Sequence, residues 1–169
     1  MPIRVPPPLE TIRMREVASA RAGAPAHVTL LFPFVPAAEL RADHLARLAT
    51  VIASVPAFDV RLREVRRWDA GGGAPEGVIW LDPEPSAPFV ALTEALARAF
   101  PDYQPYGGLH DSIIPHLTIA SDDRRHLASV QVAAARELPL RRRVSAALLI
   151  VEGADGRWRT RRRLALGAP

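Results

Sequence analysis

Two short segments of this 169-residue chain match one another: His27-Val28-Thr29-Leu30 and His116-Leu117-Thr118-Ile119. Each reads histidine, aliphatic, threonine, aliphatic. Each has a proline close upstream, Pro25 and Pro115, and the two lie 89 residues apart, one in each half of the chain. Threonine is scarce, with six residues in all. Two of five histidines followed at the second position by threonine is therefore a coincidence of about one in a hundred. In a strand, residues i and i+2 share a face, so each segment presents an imidazole and a hydroxyl side by side, about 7 Å apart. The aliphatic residues between them face the other way, into a core. A polar pair on an otherwise apolar strand is costly unless it is solvated or paired, which predicts that both pairs open onto a cleft.

Composition narrows the chemistry such a cleft can perform. There is no cysteine, which removes disulfides, thiolate metal sites and a cysteine nucleophile. All 22 basic residues are arginine, so neither a P-loop lysine nor a Schiff-base lysine is available. Acid–base work falls to 5 His, 18 Asp plus Glu, and 2 Tyr. The net charge of +4 is unevenly spread: Pro139 to the end carries eight Arg and two acids, and the remainder is slightly acidic. An arginine-only patch suits phosphate, because the guanidinium fork matches its oxygens. Hydrophobic residues make up 49%, enough for a sizeable core in one domain of this length. No signal-peptide pattern or bilayer-length apolar run is visible, so the expectation is a cytoplasmic protein without membrane attachment.

The apolar pattern predicts mixed elements without regular βαβ spacing, hence α+β with mainly antiparallel sheet. The first eight residues, four of them proline, allow at most a short edge strand. Leu9 to Ala22 is read as helix, and Ala26 to Val35 as a buried strand. Glu39 to Val55 is a helix with Leu45, Leu48, Ile52 and Val55 at helical spacing. Phe58 to Leu62 alternates as a half-buried strand. Gly71 to Gly73 is a loop, Val78 to Leu81 a strand, and Pro88 to Phe100 a second amphipathic helix. Pro101 to Ile114 is a loop rich in Pro, Gly and Tyr. His116 to Ala120 is a strand, and Asp122 to Leu138 a third helix capped by Asp122. Val144 to Val151 and Arg157 to Leu166 form a hairpin. A turn at Ala154 pairs residues whose numbers sum to about 308, setting Arg161 to Arg163 opposite Ser145 to Ala147.

Two imidazoles facing one another across a cleft can divide acid–base work, one taking a proton from the nucleophile and the other giving one to the leaving oxygen. The two hydroxyls can hydrogen-bond the non-bridging oxygens of a phosphoryl group held between the rings. That scheme needs no metal. At an ordinary imidazole pKa of about 6.5 it predicts an optimum between roughly pH 5.5 and 8.

On these residues the chain resembles the two-histidine (2H) phosphoesterases, on their 2′-5′ RNA ligase-like or cyclic phosphodiesterase branch. The double motif carries the resemblance. Pro25 to Phe34, Ile79 to Pro85, Phe100 to Tyr103 and Pro115 to Thr118 support it. The resemblance implies a single bilobal α+β domain over residues 1–169, with two related lobes and mainly antiparallel sheets around a central cleft. It also implies His27 and His116 as catalytic acid and base, Thr29 and Thr118 as phosphate binders, and no cofactor. The substrate would be an RNA end, a cyclic nucleotide or a related phosphoester, handled by a monomer. Pro6-Pro7-Pro8 departs from the apolar first strand of that pattern.

Two other readings stay open at this level. One is a nucleotide- or RNA-binding module whose catalysis is vestigial. The other is a metal hydrolase with His27 and His116 as ligands and Asp111 as the nearby carboxylate. Tyr106 and His110, in the loop before the second motif, are candidate substrate-binding residues. Tyr103 is read as packing that loop, and His44 and His126 as surface residues within helices. Phe32 and Phe34 are assigned to the core, and Trp80 and Trp158 to core or sheet-face packing.

Overall fold

The structure is a computed structural model that describes residues 1–69, 77–110, 112–122 and 126–168. Its helices are α1 (Pro7–Glu16), α2 (Ala18–Arg21), α3 (Ala42–Ala53), α4 (Ala87–Ala99) and α5 (Leu127–Ala135). Its strands are β1 (Phe58–Trp68), β2 (Gly77–Glu84), β3 (Leu117–Asp122), β4 (Leu140–Val144), β5 (Ala146–Glu152) and β6 (Trp158–Ala165). Four of them form one antiparallel sheet in the order β3-β2-β1-β4, and β5 and β6 form a separate antiparallel pair. The predicted α+β class with antiparallel sheet is what the chain adopts.

Strand patterning decides which face of the large sheet is dry. Val60 and Leu62 of β1, Ile79 and Leu81 of β2, and Leu117 and Ile119 of β3 are fully buried. They lie against Phe89 and Leu92 of α4 and Leu127 of α5 within one continuous core cluster. That cluster also takes in Ile52 of α3 and Leu164 of β6, so both sheets share it. Phe58 and Phe89 meet edge to face at 5.1 Å, joining β1 to α4. The opposite face of the large sheet carries Trp80, Trp68, Arg66, Arg61 and Arg141, as the pairings Arg66↔Trp80, Trp68↔Val78 and Arg61↔Arg141 require.

Several boundaries differ from the sequence reading, each for a local reason. The proline run does not forbid structure: Pro7 opens α1, where a missing N–H costs nothing. The first helix breaks at Val17, which is extended (φ −118°, ψ 115°). The buried strand expected from Ala26 to Val35 shrinks to isolated bridges, Pro2↔His27 and Val28↔Leu117. Asp122 ends β3 instead of capping a helix, and α5 begins after His126. Leu140–Val144 forms an additional strand on the edge of the large sheet. In the hairpin the paired numbers sum to 310–311, with Leu149 opposite Arg162 and Leu148 opposite Arg163. The shift follows from a turn bounded by the Gly153–Arg157 hydrogen bond and from a bulge between Leu149 and Ile150. The loop read at Gly71 to Gly73 lies outside the described residues.

Candidate active site

The two matched segments are brought together by a single antiparallel bridge between their middle residues, Val28 and Leu117. Both of those aliphatic side chains are fully buried. The register then sets His27 opposite Thr118 and Thr29 opposite His116, all four half-buried on the other face. Directly opposed residues of an antiparallel pair have Cβ atoms about 4.5–5.5 Å apart, and diagonal ones about 7–8 Å. The imidazoles occupy the diagonal and each has the other segment's hydroxyl as its cross-strand neighbour. This is an approximate two-fold arrangement about the bridge.

The same device orients both rings. His27 Nδ1 lies 2.6 Å from the Pro25 carbonyl oxygen, and His116 Nδ1 lies 2.8 Å from that of Ile114. A carbonyl only accepts, so each Nδ1 carries a proton and donates it, leaving Nε2 for chemistry. The residue two before each histidine thus fixes its tautomer.

Their surroundings differ. Burial lowers the His27 pKa to about 4, helped by the amino group at Met1 and by Arg13 and His116, and opposed by the Pro25 carbonyl. Burial also lowers that of His116, with His110 acting the same way and the Ile114 carbonyl opposing. Trp68 and Trp80 lie against the His116 ring, with centroids 4.7 and 6.1 Å away. Tyr106 stacks on it at 6.4 Å and 24°. The Tyr106 hydroxyl also lies beside Thr29, which acts on its pKa, so this one side chain neighbours both motifs. Burial raises its pKa. Its backbone is left-handed (φ 51°, ψ 32°), an uncommon state for a bulky residue, and its N–H donates to the Phe32 carbonyl oxygen at 2.6 Å. His110 is exposed and meets Tyr106 at 5.7 Å, on the rim.

Arg13 is the residue the sequence reading missed. It is only 2% exposed and reaches from α1 to the backbone of both motifs: Nε donates to the Thr118 carbonyl oxygen at 3.1 Å, and Nη2 to that of Pro25 at 3.3 Å. Glu10, one turn earlier, balances its charge at 2.9 Å. An arginine on a helix of low amphipathicity gives no sequence signal of such a role. Trp68 was also passed over, its position at the far end of β1 giving no sign that it would meet His116.

A cavity of about 470 Å³ opens beside His27 and Thr29 and runs toward β5 and β6. Phe32, assigned to the core, is 52% exposed at its mouth, edge-on to Trp158 at 6.3 Å. The reason is that the chain turns outward there, and Phe34 takes the core position against Phe100 and Tyr103. Trp80 lies on the sheet face, as assigned, at 4% exposure. His44 bonds Arg41 at the start of α3, and His126 pairs with Glu16 at 2.8 Å, just before α5 and not within it. Asp111 lies outside the described residues. Among those described, no three His, Cys, Asp or Glu side chains group as a metal site, and no helix is long and apolar enough to cross a membrane.

A family model described as the 2′-5′ RNA ligase superfamily matches residues 1–156. The chain is similar in fold to the crystal structure of TT0787 of Thermus thermophilus, at 23% identity and a TM-score of 0.59, covering 85% of this chain and 79% of that one. It is similar to E. coli LigT complexed with NADP+, at 20% identity and a TM-score of 0.52, covering 97% and 94%. A crystal structure described as a phosphoesterase matches at 20% identity and a TM-score of 0.54, covering 98% and 95%. No curated protein matches.

Proposed function

The chain belongs to the 2′-5′ RNA ligase superfamily, and on that premise we propose that it is a metal-independent phosphodiesterase of RNA-like or nucleotide substrates. It opens 2′,3′-cyclic phosphates, or cleaves and forms 2′-5′ linkages. The observation that carries this reading is the Val28↔Leu117 bridge, which gathers two imidazoles and two hydroxyls around one point from opposite halves of the chain. A nucleotide substrate accords with the NADP+ bound by the LigT of similar fold.

The different environments support a division of roles. His27, held neutral by burial and neighbouring positive charge, is the base: its Nε2 takes a proton from the attacking water as the oxygen bonds to phosphorus. His116 is the acid: as the bond from phosphorus to the ribose oxygen breaks, its Nε2–H protonates that oxygen. An anionic phosphate between the rings raises both imidazole pKa values and loads the acid. Thr29 and Thr118 donate to the two non-bridging oxygens, whose charge grows toward the transition state. Tyr106, stacked on His116, offers its ring or phenol to the substrate, with His110 at the rim.

The test is a panel of 2′,3′-cyclic nucleotides and 2′-5′ linked dinucleotides incubated with the protein in excess EDTA. Turnover that survives the chelator and disappears in His27→Ala and His116→Ala is expected. Turnover that the chelator abolishes, or no turnover on any member, overturns the reading.

A further inference from the structure

The His116 ring joins a row of stacked groups that crosses the open face of the large sheet. The Arg66 guanidinium lies over Trp80, 6.0 Å from its centroid. Trp80 leans on Trp68 at 4.7 Å and 35°, and Trp68 meets His116 at 4.7 Å and 76°. Sheet register builds the row: Arg66 is opposite Trp80, and Trp80 is opposite Thr118. Trp80 also meets His116, at 6.1 Å, but it carries Arg66 over its ring, and Trp68 is the nearer indole at 4.7 Å. Among the described residues, His27 makes no ring contact of this kind.

An indole within about 6 Å of a cation attracts it through the negative face of its π system. Edge-to-face packing at 4.7 Å also limits rotation of the imidazole about its χ angles. We propose that Trp68 is a positioning residue, which holds the His116 ring with Nε2 toward the cleft and favours its protonated form. The proposal rests on the reading of His116 as the proton donor. It accounts for how an imidazole that faces His110 from its own loop and His27 from across the bridge can still act as an acid. The other groups facing it are the Ile114 carbonyl and the Tyr106 phenol, with Arg66 on β1 neutralised by Asp82 on β2 at 2.7 Å.

The experiment is an NMR titration of both histidines in the full chain, for wild type, Trp68→Leu and Trp68→Phe, beside the pH profile of kcat/KM on a 2′,3′-cyclic nucleotide. Trp68→Leu should lower the His116 pKa by roughly half a unit, and Trp68→Phe should restore most of it. His27 should not move. The alkaline limb of kcat/KM should shift down by the same amount, with kcat several-fold lower and KM little changed. Trp68→Met, which keeps bulk without a ring face, replaces the leucine variant should that one not fold. A folded variant in which His116 titrates as in wild type, or moves together with His27, overturns the proposal. The titration needs no turnover, so an inactive wild type would overturn the phosphodiesterase reading and leave this result to stand or fall by itself.

Discussion

His27 and His116 share a backbone tether but not an environment, and their pH behaviour follows from the difference. In the free protein His27 is neutral above about pH 4, while His116 is protonated only below a pKa that burial has moved under 6.5. The bell of kcat/KM should therefore lie on the acid side of 6.5, shifted down from the position that unperturbed imidazoles give. The bell of kcat should lie higher, because bound phosphate raises both pKa values. Steady-state rates from about pH 4 to 9 check this. Replacing either histidine by Ala should cost about 10² to 10⁴ in turnover, and the double replacement less than the product of the two. Thr29→Ala or Thr118→Ala should cost less, about 1.5–3 kcal/mol, for one hydrogen bond to a charged oxygen. Stability carries the same signature. The unfolded chain protonates His27 near pH 6.5 and the folded chain only near 4, so stability is lost as pH falls through that window. Thermal melts of His27→Gln should show a shallower decline between about pH 7 and 4.5 than wild type.

Strand pairing separates the two arginine triplets that look alike in sequence. Arg141 to Arg143 lie on β4, and Arg161 to Arg163 on β6, in different sheets. On the open face of the large sheet Arg61 stands directly opposite Arg141, and neither joins an ion pair among the described residues. Like charges so placed repel, and an anion between them would relieve the strain. Oligonucleotide affinity should fall steeply with salt, and Arg61→Ala with Arg141→Ala should flatten that slope. Changing Arg161 to Arg163 to Ala tests the second triplet, and an unchanged slope in either set marks it as a solvated face. Gly167 is tied to the segment that follows α3 by close backbone approach. Gly167 donates to the Val55 carbonyl oxygen at 2.9 Å, and its own carbonyl oxygen accepts from Ala57 at 3.1 Å. A Cβ at Gly167 would sit 2.5 Å from the Ala53 carbonyl oxygen. Gly167→Ala should destabilise by about 1–3 kcal/mol, read as a lower Tm with the activity of the folded fraction intact.

One buried side chain holds the two halves of the site in register. Arg13 spans the Thr118 and Pro25 carbonyl oxygens while paired with Glu10, and a lysine ammonium cannot reach all three acceptors from one position. Arg13→Met should therefore cost about 3–5 kcal/mol by chemical denaturation, and Arg13→Lys most of that. Turnover should fall at least about tenfold in both even under conditions where they are folded, because the bridge between the motifs loses its clamp. Native activity in a folded Arg13→Met would show that the Val28↔Leu117 pairing alone suffices.

The α+β class, the helices α3 and α4 and the paired His-x-Thr segments were legible because each is a local pattern. A helix announces itself every three to four residues, and the i, i+2 spacing by itself puts an imidazole and a hydroxyl on one face. What depends on partners distant in the chain was not legible. The segment from Ala26 to Val35 has the apolar content of a strand but pairs only at two residues, since pairing depends on neighbours and not on composition. Phe32 and Phe34 are alike in sequence, and only the path of the chain leaves one exposed and buries the other against Phe100. The burial that sets His27 apart from His116, the Trp68 packed on the second ring and the Arg13 clamp all arise from contacts across dozens of residues. Sequence determined which groups could do chemistry; the tertiary contacts decided their protonation, their orientation and how they meet, because electrostatics and packing act through space.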